Sequence, residues 1–219
     1  MTDAAATPSS RQKLVYLLSV GAIGMALLTA GALILVAKPN SGSLTGRPEV
    51  PPVIATVPAF AATRQDGTAF TEHSLEGSVW VANFVFTRCP NICPTFTAKM
   101  AGVQALSARR LPSLQLVSFT VDPEHDTPQV LADYARKYQA EPERWSFVTA
   151  PVEVLEQTIS KGLLQTLDRG DGKDLKTLAH SSYFVLVDKH LRVRGFYRFN
   201  EATSVEYLMH DAEALTREP

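Results

Sequence analysis

The sequence predicts an α/β domain, a mixed sheet with helices on both faces, attached to a single N-terminal membrane helix. Three observations carry this. Residues 79–86 and 114–121 are uncharged, mostly apolar runs of strand length, and each precedes a stretch of helical periodicity. That alternation is the pattern of parallel strands joined by helical crossovers. A hairpin pattern and one more helical stretch close the chain, and residues 14–37 carry no charge at all.

The N-terminal run sets the organisation. Its 24 residues would span about 36 Å as a helix, enough for a hydrocarbon core of about 30 Å. A cleaved signal peptide has a shorter apolar region and a small-x-small cleavage site. Here the run ends Leu35-Val36-Ala37, with a bulky Leu where a small residue is wanted. An uncleaved anchor is the expectation. Arg11 and Lys13 precede it and Lys38 and Arg47 follow, so charge sets orientation only weakly. The tail is short and lacks the Arg-rich character of an organelle transit peptide. These features predict a cytoplasmic tail over 1–13, an anchor over 14–37, and a Pro/Gly/Ser-rich tether over 38–58. A globular domain over 59–219 then faces the periplasm of a bacterial inner membrane.

Within that domain, Gln65-Asp66-Gly67 suits a tight turn between residues 60–63 and 69–71. Residues 79–86 read as a buried strand. Residues 95–110 place Phe96, Met100, Val103 and Leu106 at helical spacing. Residues 114–121 give a second strand, 128–138 a helix opened by Asp126 or Thr127, and 145–149 a third strand. Residues 152–164 read as helix, 182–187 and 193–197 as a hairpin across Asp188-Lys189-His190, and 204–216 as the last helix. Roughly 160 residues suffice to bury about two-thirds of their extended surface in one core.

Composition excludes several classes. The chain has 219 residues, 45% hydrophobic and 20% charged, with net charge -1. It is neither disordered nor basic enough to argue for a nucleic-acid partner.

The chemistry concentrates in Phe86-Thr87-Arg88-Cys89-Pro90-Asn91-Ile92-Cys93-Pro94, which holds both cysteines of the chain. Two thiols cannot form a disulfide framework for a domain of this size. In a strand-to-helix turn they meet the unpaired N–H groups of the helix, which favours thiolate below the free value of about 8.5. A cysteine pair at that place points to a thioredoxin-like fold. Three residues separate the thiols rather than two, which still lets both sulfurs face one point. Such a pair can close reversibly to a disulfide or hold a soft ion, Cu(I) or Zn. A third ligand would favour the metal. His73, His125, His180, His190 and His210 are the histidines available. His180 immediately precedes a strand, whereas the others fall in connectors, a turn and the last helix.

Three blocks in order then match one family. Phe86-Thr87-x-Cys89-Pro90-x-x-Cys93-Pro94, Val121-Asp122-Pro123-Glu124-x-Asp126-Thr127 and His180-Ser181-Ser182-Tyr183-Phe184-Val185-Leu186-Val187-Asp188 resemble the SCO/SenC proteins. These are membrane-anchored, thioredoxin-like copper-delivery and thiol-redox factors for the binuclear copper centre of cytochrome c oxidase. The resemblance implies that Cys89, Cys93 and His180 are copper ligands. It also implies as partners the oxidase's copper-bearing subunit and a copper donor or thiol reductant. No proline occurs between Pro151 and the end of the strand after His180. A thioredoxin-like exchanger normally has a cis-proline there, so a metal site is favoured. Family members often carry Asp immediately before the histidine, and here that position is Ala179. Asp122 or Asp126 could serve as an outer partner of His180, although Asp126-x-x-Gln129 resembles a capping box.

The expected role is transfer of a bound ion, a metallochaperone rather than a conventional enzyme. The alternative is a thiol-disulfide oxidoreductase that keeps the oxidase subunit's cysteines reduced, with Cys89 and Cys93 as the redox pair. A thiol peroxidase fits poorly, because neither cysteine has a Thr three residues before it.

Overall fold

The computed structural model describes residues 48–90, 92–165 and 183–218. The expected tail, the anchor, the first ten residues of the tether and His180 lie outside the described residues. Among the described residues no helix is long and apolar enough to cross a membrane.

In chain order the elements are β1 Ala55–Thr56, β2 Ala61–Arg64, β3 Ala69–Thr71, β4 Trp80–Val85, α1 Ile92–Arg110, β5 Gln115–Thr120 and α2 Pro128–Lys137. There follow β6 Trp145–Thr149, α3 Val152–Glu156, β7 Tyr183–Val187, β8 Arg192–Arg198 and α4 Ser204–Arg217. The strands form one sheet in the order β1-β8-β7-β4-β5-β6-β2-β3. β4, β5 and β6 are parallel, while β7 runs antiparallel to β4 with Ala82 opposite Val185 and Trp80 opposite Val187. The mixed sheet expected from the sequence is thus observed.

Alternation along β4 explains its central place. Trp80, Ala82, Phe84 and, just beyond, Phe86 enter the core on one face, and Val81 and Val85 enter it on the other. Every residue of the strand is buried. One face is covered by α1, α2 and α4 through Phe96, Met100, Leu131, Leu208 and Leu215. The other packs on Phe60, Phe70, Leu155, Ile159 and Leu163. At roughly 25 cal/mol per Å² of apolar area, each such large side chain contributes about 1.5–3 kcal/mol.

The structure differs from the sequence reading in three elements. The folded domain starts before Ala59: Ile54 N donates to Val193 O at 2.8 Å, and Ala55 and Thr56 pair with β8. The prolines around them hide this short edge strand, because Pro is confined to strand edges and starts. α1 begins at Ile92 rather than Thr95, since the first helical turn needs no N–H from Pro94. Past α3 the helix widens over Gln157–Gly162, where Leu163 N reaches back five residues to Thr158 O at 2.8 Å. The wider turn keeps Leu155, Ile159 and Leu163, spaced by four, on one buried face.

Gly67 closes the β2–β3 turn with φ +83, a conformation that glycine adopts without strain. Asp66 secures the same turn by accepting from the Thr68 N–H at 3.0 Å and its hydroxyl at 2.6 Å.

Candidate metal centre

β4 ends at Val85, and the chain turns through Phe86 to Pro90 into α1. Cys89 N donates to Phe86 O at 3.1 Å, which tightens the turn and carries Cys89 back over the helix start. Cys93 lies in the first turn of α1, and its N–H donates to Cys89 Sγ at 3.4 Å. The two thiols therefore meet at the carboxyl end of the central strand. They are unbridged in this structure. Cys89 keeps 9% exposure and Cys93 none.

That burial reverses one expectation. The Cys93 thiol is pushed up to about 12, first by burial, then by the neighbouring Cys89 and the Asp126 carboxylate, against an opposing backbone hydrogen bond at Phe86. A helix N-terminus contributes about 0.3–2 kcal/mol, whereas desolvation moves a fully buried group by as much as 3–5 pKa units. Burial wins, so Cys93 is a neutral thiol at pH 7.

Two acidic residues hold the approach to Cys89. Asp126 is fully buried. Its carboxylate accepts from Thr87 N at 3.1 Å, from Thr87 Oγ1 at 2.6 Å and from Thr120 Oγ1 at 2.5 Å. Burial raises its pKa against these hydrogen bonds. Asp122 accepts from Arg88 Nη2 at 2.6 Å and Nε at 3.1 Å. The resemblance of Asp126-x-x-Gln129 to a capping box does not hold: Thr127 caps α2, accepting from Val130 N at 3.4 Å, and Gln129 turns to Asp133. Asp126 is free for the cysteine loop because its neighbour performs the cap.

The other histidines are dispersed. His73 faces Glu76 in an exposed turn, His125 is exposed after β5, His190 is exposed in the β7–β8 turn, and His210 lies beside Asp211 on α4. Among the described residues no three His, Cys, Asp or Glu side chains group as a metal site. The pair Cys89–Cys93 supplies two soft sulfur donors, the chemistry that favours Cu(I) or Zn(II) over Mg(II) or Ca(II). Sequence reasoning missed Thr87, Arg88 and Thr120 as supports of the site. Thr87 and Arg88 lie inside the cysteine block and could have been suspected from it; nothing in the sequence marks Thr120.

Comparison with known proteins gives one consistent picture. The SCO1/SenC family model matches residues 50–216. The SCO1 protein homolog of Bacillus subtilis is 31% identical over 164 residues, covering 74% of this chain and 84% of that protein. A candidate copper-binding protein of Stutzerimonas stutzeri is 33% identical over 144 residues, covering 65% of this chain and 69% of that one. The solved structure of BsSco is 30% identical with a TM-score of 0.69, covering 77% of this chain and 97% of that one. BsSco is described as carrying a disulfide switch and as one of the Sco family of cytochrome c oxidase assembly proteins.

Proposed function

The chain belongs to the SCO1/SenC family, and from that premise we propose that it carries copper and delivers it to the copper-bearing subunit of cytochrome c oxidase. Copper is the cargo, held by the thiolates of Cys89 and Cys93 and the imidazole of His180. The observation that carries this reading is the antiparallel pairing of β7 with β4. It brings the start of β7 to the end of the sheet where β4 runs into the cysteine loop. His180 precedes Tyr183 by three residues, a reach of about 10 Å in extended chain. The arrangement supports an imidazole approaching the two sulfurs.

A soft ion bound by two sulfurs and one nitrogen leaves room for an incoming ligand, which suits transfer between proteins. Loading requires the Cys93 proton to leave, since the metal binds thiolate. The apolar run 14–37 supports a protein anchored in a bacterial inner membrane, with its domain on the periplasmic side beside the oxidase.

A second reading rests on the same pair. The contact of Cys93 N with Cys89 Sγ at 3.4 Å favours closure to a disulfide, and BsSco is described with a disulfide switch. The protein would then reduce the oxidase subunit's cysteines. Complementation separates the two. In cells lacking this protein, copper delivery predicts that both Cys89→Ser and His180→Ala fail to restore the binuclear copper absorbance of the purified oxidase. Full restoration by His180→Ala, with failure of Cys89→Ser, would assign the protein to the reductase reading.

A further inference from the structure

We propose that Asp126 is a positioning residue for the cysteine pair: through Thr87 it latches the loop that carries Cys89 and so sets how readily the two thiols close. The inference rests on the reading of Cys89 and Cys93 as a working dithiol and extends it to residues that touch neither sulfur's reaction partner.

Phe86 and Cys89 are buried and joined by the Cys89 N–Phe86 O hydrogen bond, and the residues between them are held from outside the loop. Between the last residue of β4 and the first of α1, Arg88 and Pro90 are exposed and Thr87 is half-buried. Thr87 stands two residues before Cys89. It gives both its N–H and its hydroxyl to one carboxylate, at 3.1 and 2.6 Å. That carboxylate is fully buried and is held from behind by Thr120 Oγ1 at 2.5 Å, on the neighbouring strand β5. Thr120 Oγ1 also accepts from Asp122 N at 3.0 Å, and Asp122 holds Arg88. Two successive loop residues, 87 and 88, are thereby clasped to one short segment, 120–126. Two donors from one residue on a single buried carboxyl fix both its backbone and its side chain.

The consequence for the thiols is entropic. A disulfide orders the Cys89 loop whether or not the latch exists. The dithiol is ordered only if something else orders it. Fixing a residue's backbone costs conformational entropy, and the latch removes that cost from the closing step by ordering the dithiol beforehand. Its loss therefore favours the dithiol over the disulfide, which is a fall in the effective concentration of one thiol at the other.

The test is the closing equilibrium of the full chain, free of metal, against dithiothreitol. In that exchange the S–S bond of the cyclic oxidised dithiothreitol breaks and one forms between Cys89 and Cys93. Two electrons and two protons pass from the protein thiols to give the open dithiol. Alkylation and mass measurement read the fraction closed. Thr87→Val keeps shape and removes the hydroxyl; it is expected to shift the equilibrium about tenfold toward the protein dithiol, equivalent to about 30 mV. Thr87→Ser restores the hydroxyl and is expected to lie within about twofold of wild type. A purely structural residue would lower the melting temperature without moving this equilibrium.

Thr120→Val, an isosteric change inside β5, loosens the same carboxylate from its other side and gives the second arm, with an expected shift of about threefold. A wild-type equilibrium constant in folded Thr87→Val overturns the latch. If that variant does not fold, a wild-type constant in Thr120→Val overturns it. A wild-type protein that forms no intramolecular disulfide would instead overturn the dithiol reading on which the latch rests.

Discussion

Cys93 is the quieter of the two thiols, and its burial has a measurable result. With no exposed surface and a thiol pushed up to about 12, it presents neither access nor thiolate to an alkylating reagent at pH 7. Iodoacetamide added to the reduced, metal-free protein is expected to modify Cys89 first, with Cys93 following only after denaturation. Peptide mass mapping checks this; equal rates at the two positions would contradict it. If Cys93 is a copper ligand as proposed, copper affinity is expected to rise with pH across the neutral range, because the metal would compete with this proton for sulfur. The motif made it legible that the two cysteines meet at the start of α1. It did not make the state of Cys93 legible, because a local cue, the helix start, opposes a tertiary one, burial. Asp126 was legible as a residue of interest, but its role was not: capping depends on local spacing, whereas its donors are Thr87, from the distant cysteine loop, and Thr120, at the end of the preceding strand.

At the scale of elements, periodicity served wherever a segment buries one regular face. β4, β5, β6 and α2 lie within two residues of their expected bounds for that reason. It failed where the backbone is held by distant partners. Arg194 is such a case: it is 4% exposed and joins three segments. Its guanidinium donates to Pro51 O at 2.5 and 2.9 Å, to Asp188 Oδ2 at 2.5 Å and to Glu218 Oε2 at 2.7 Å. A proline-rich stretch that reads as tether is thereby tied to the β7–β8 turn and the end of α4. Arg194→Met removes one of the two guanidinium partners of buried Asp188, which keeps Arg192 and the His190 N–H, and is expected to cost about 1.5–3 kcal/mol in urea unfolding. A loss below about 1 kcal/mol would show that the network carries little. The pH dependence has a definite sign. Burial would raise Asp188, but hydrogen bonds from Arg194, Arg192 and His190 outweigh it and hold the carboxyl below its ordinary range. A depressed carboxyl contributes stability that is present above the unfolded value of about 3.9 and is lost as pH falls through the lower folded value. Arg194→Met should therefore flatten the acid limb of the stability curve.

Across the whole molecule, the parts agree on one end of the sheet. The parallel strands β4 and β5 deliver the cysteine loop and the Asp122–Asp126 segment to their carboxyl ends, and antiparallel β7 starts from the same end. The fold class was readable because the strand-helix alternation is regular, and the family because three motif blocks stand in order. The contacts that hold the cysteine loop were not readable, since they join residues 34–39 positions apart. The central claim is that two sulfurs and one imidazole hold copper. Its most direct test is competitive titration of the purified protein with a chelator specific for each oxidation state. Two thiolates suffice for Cu(I), whereas Cu(II) prefers nitrogen. His180→Ala should weaken Cu(II) binding by more than about tenfold, or about 1.4 kcal/mol, and Cu(I) binding by less. Cys89→Ser and Cys93→Ser should each abolish tight binding of both ions. Wild-type Cu(II) affinity in His180→Ala would contradict the ligand set and remove the imidazole from the site.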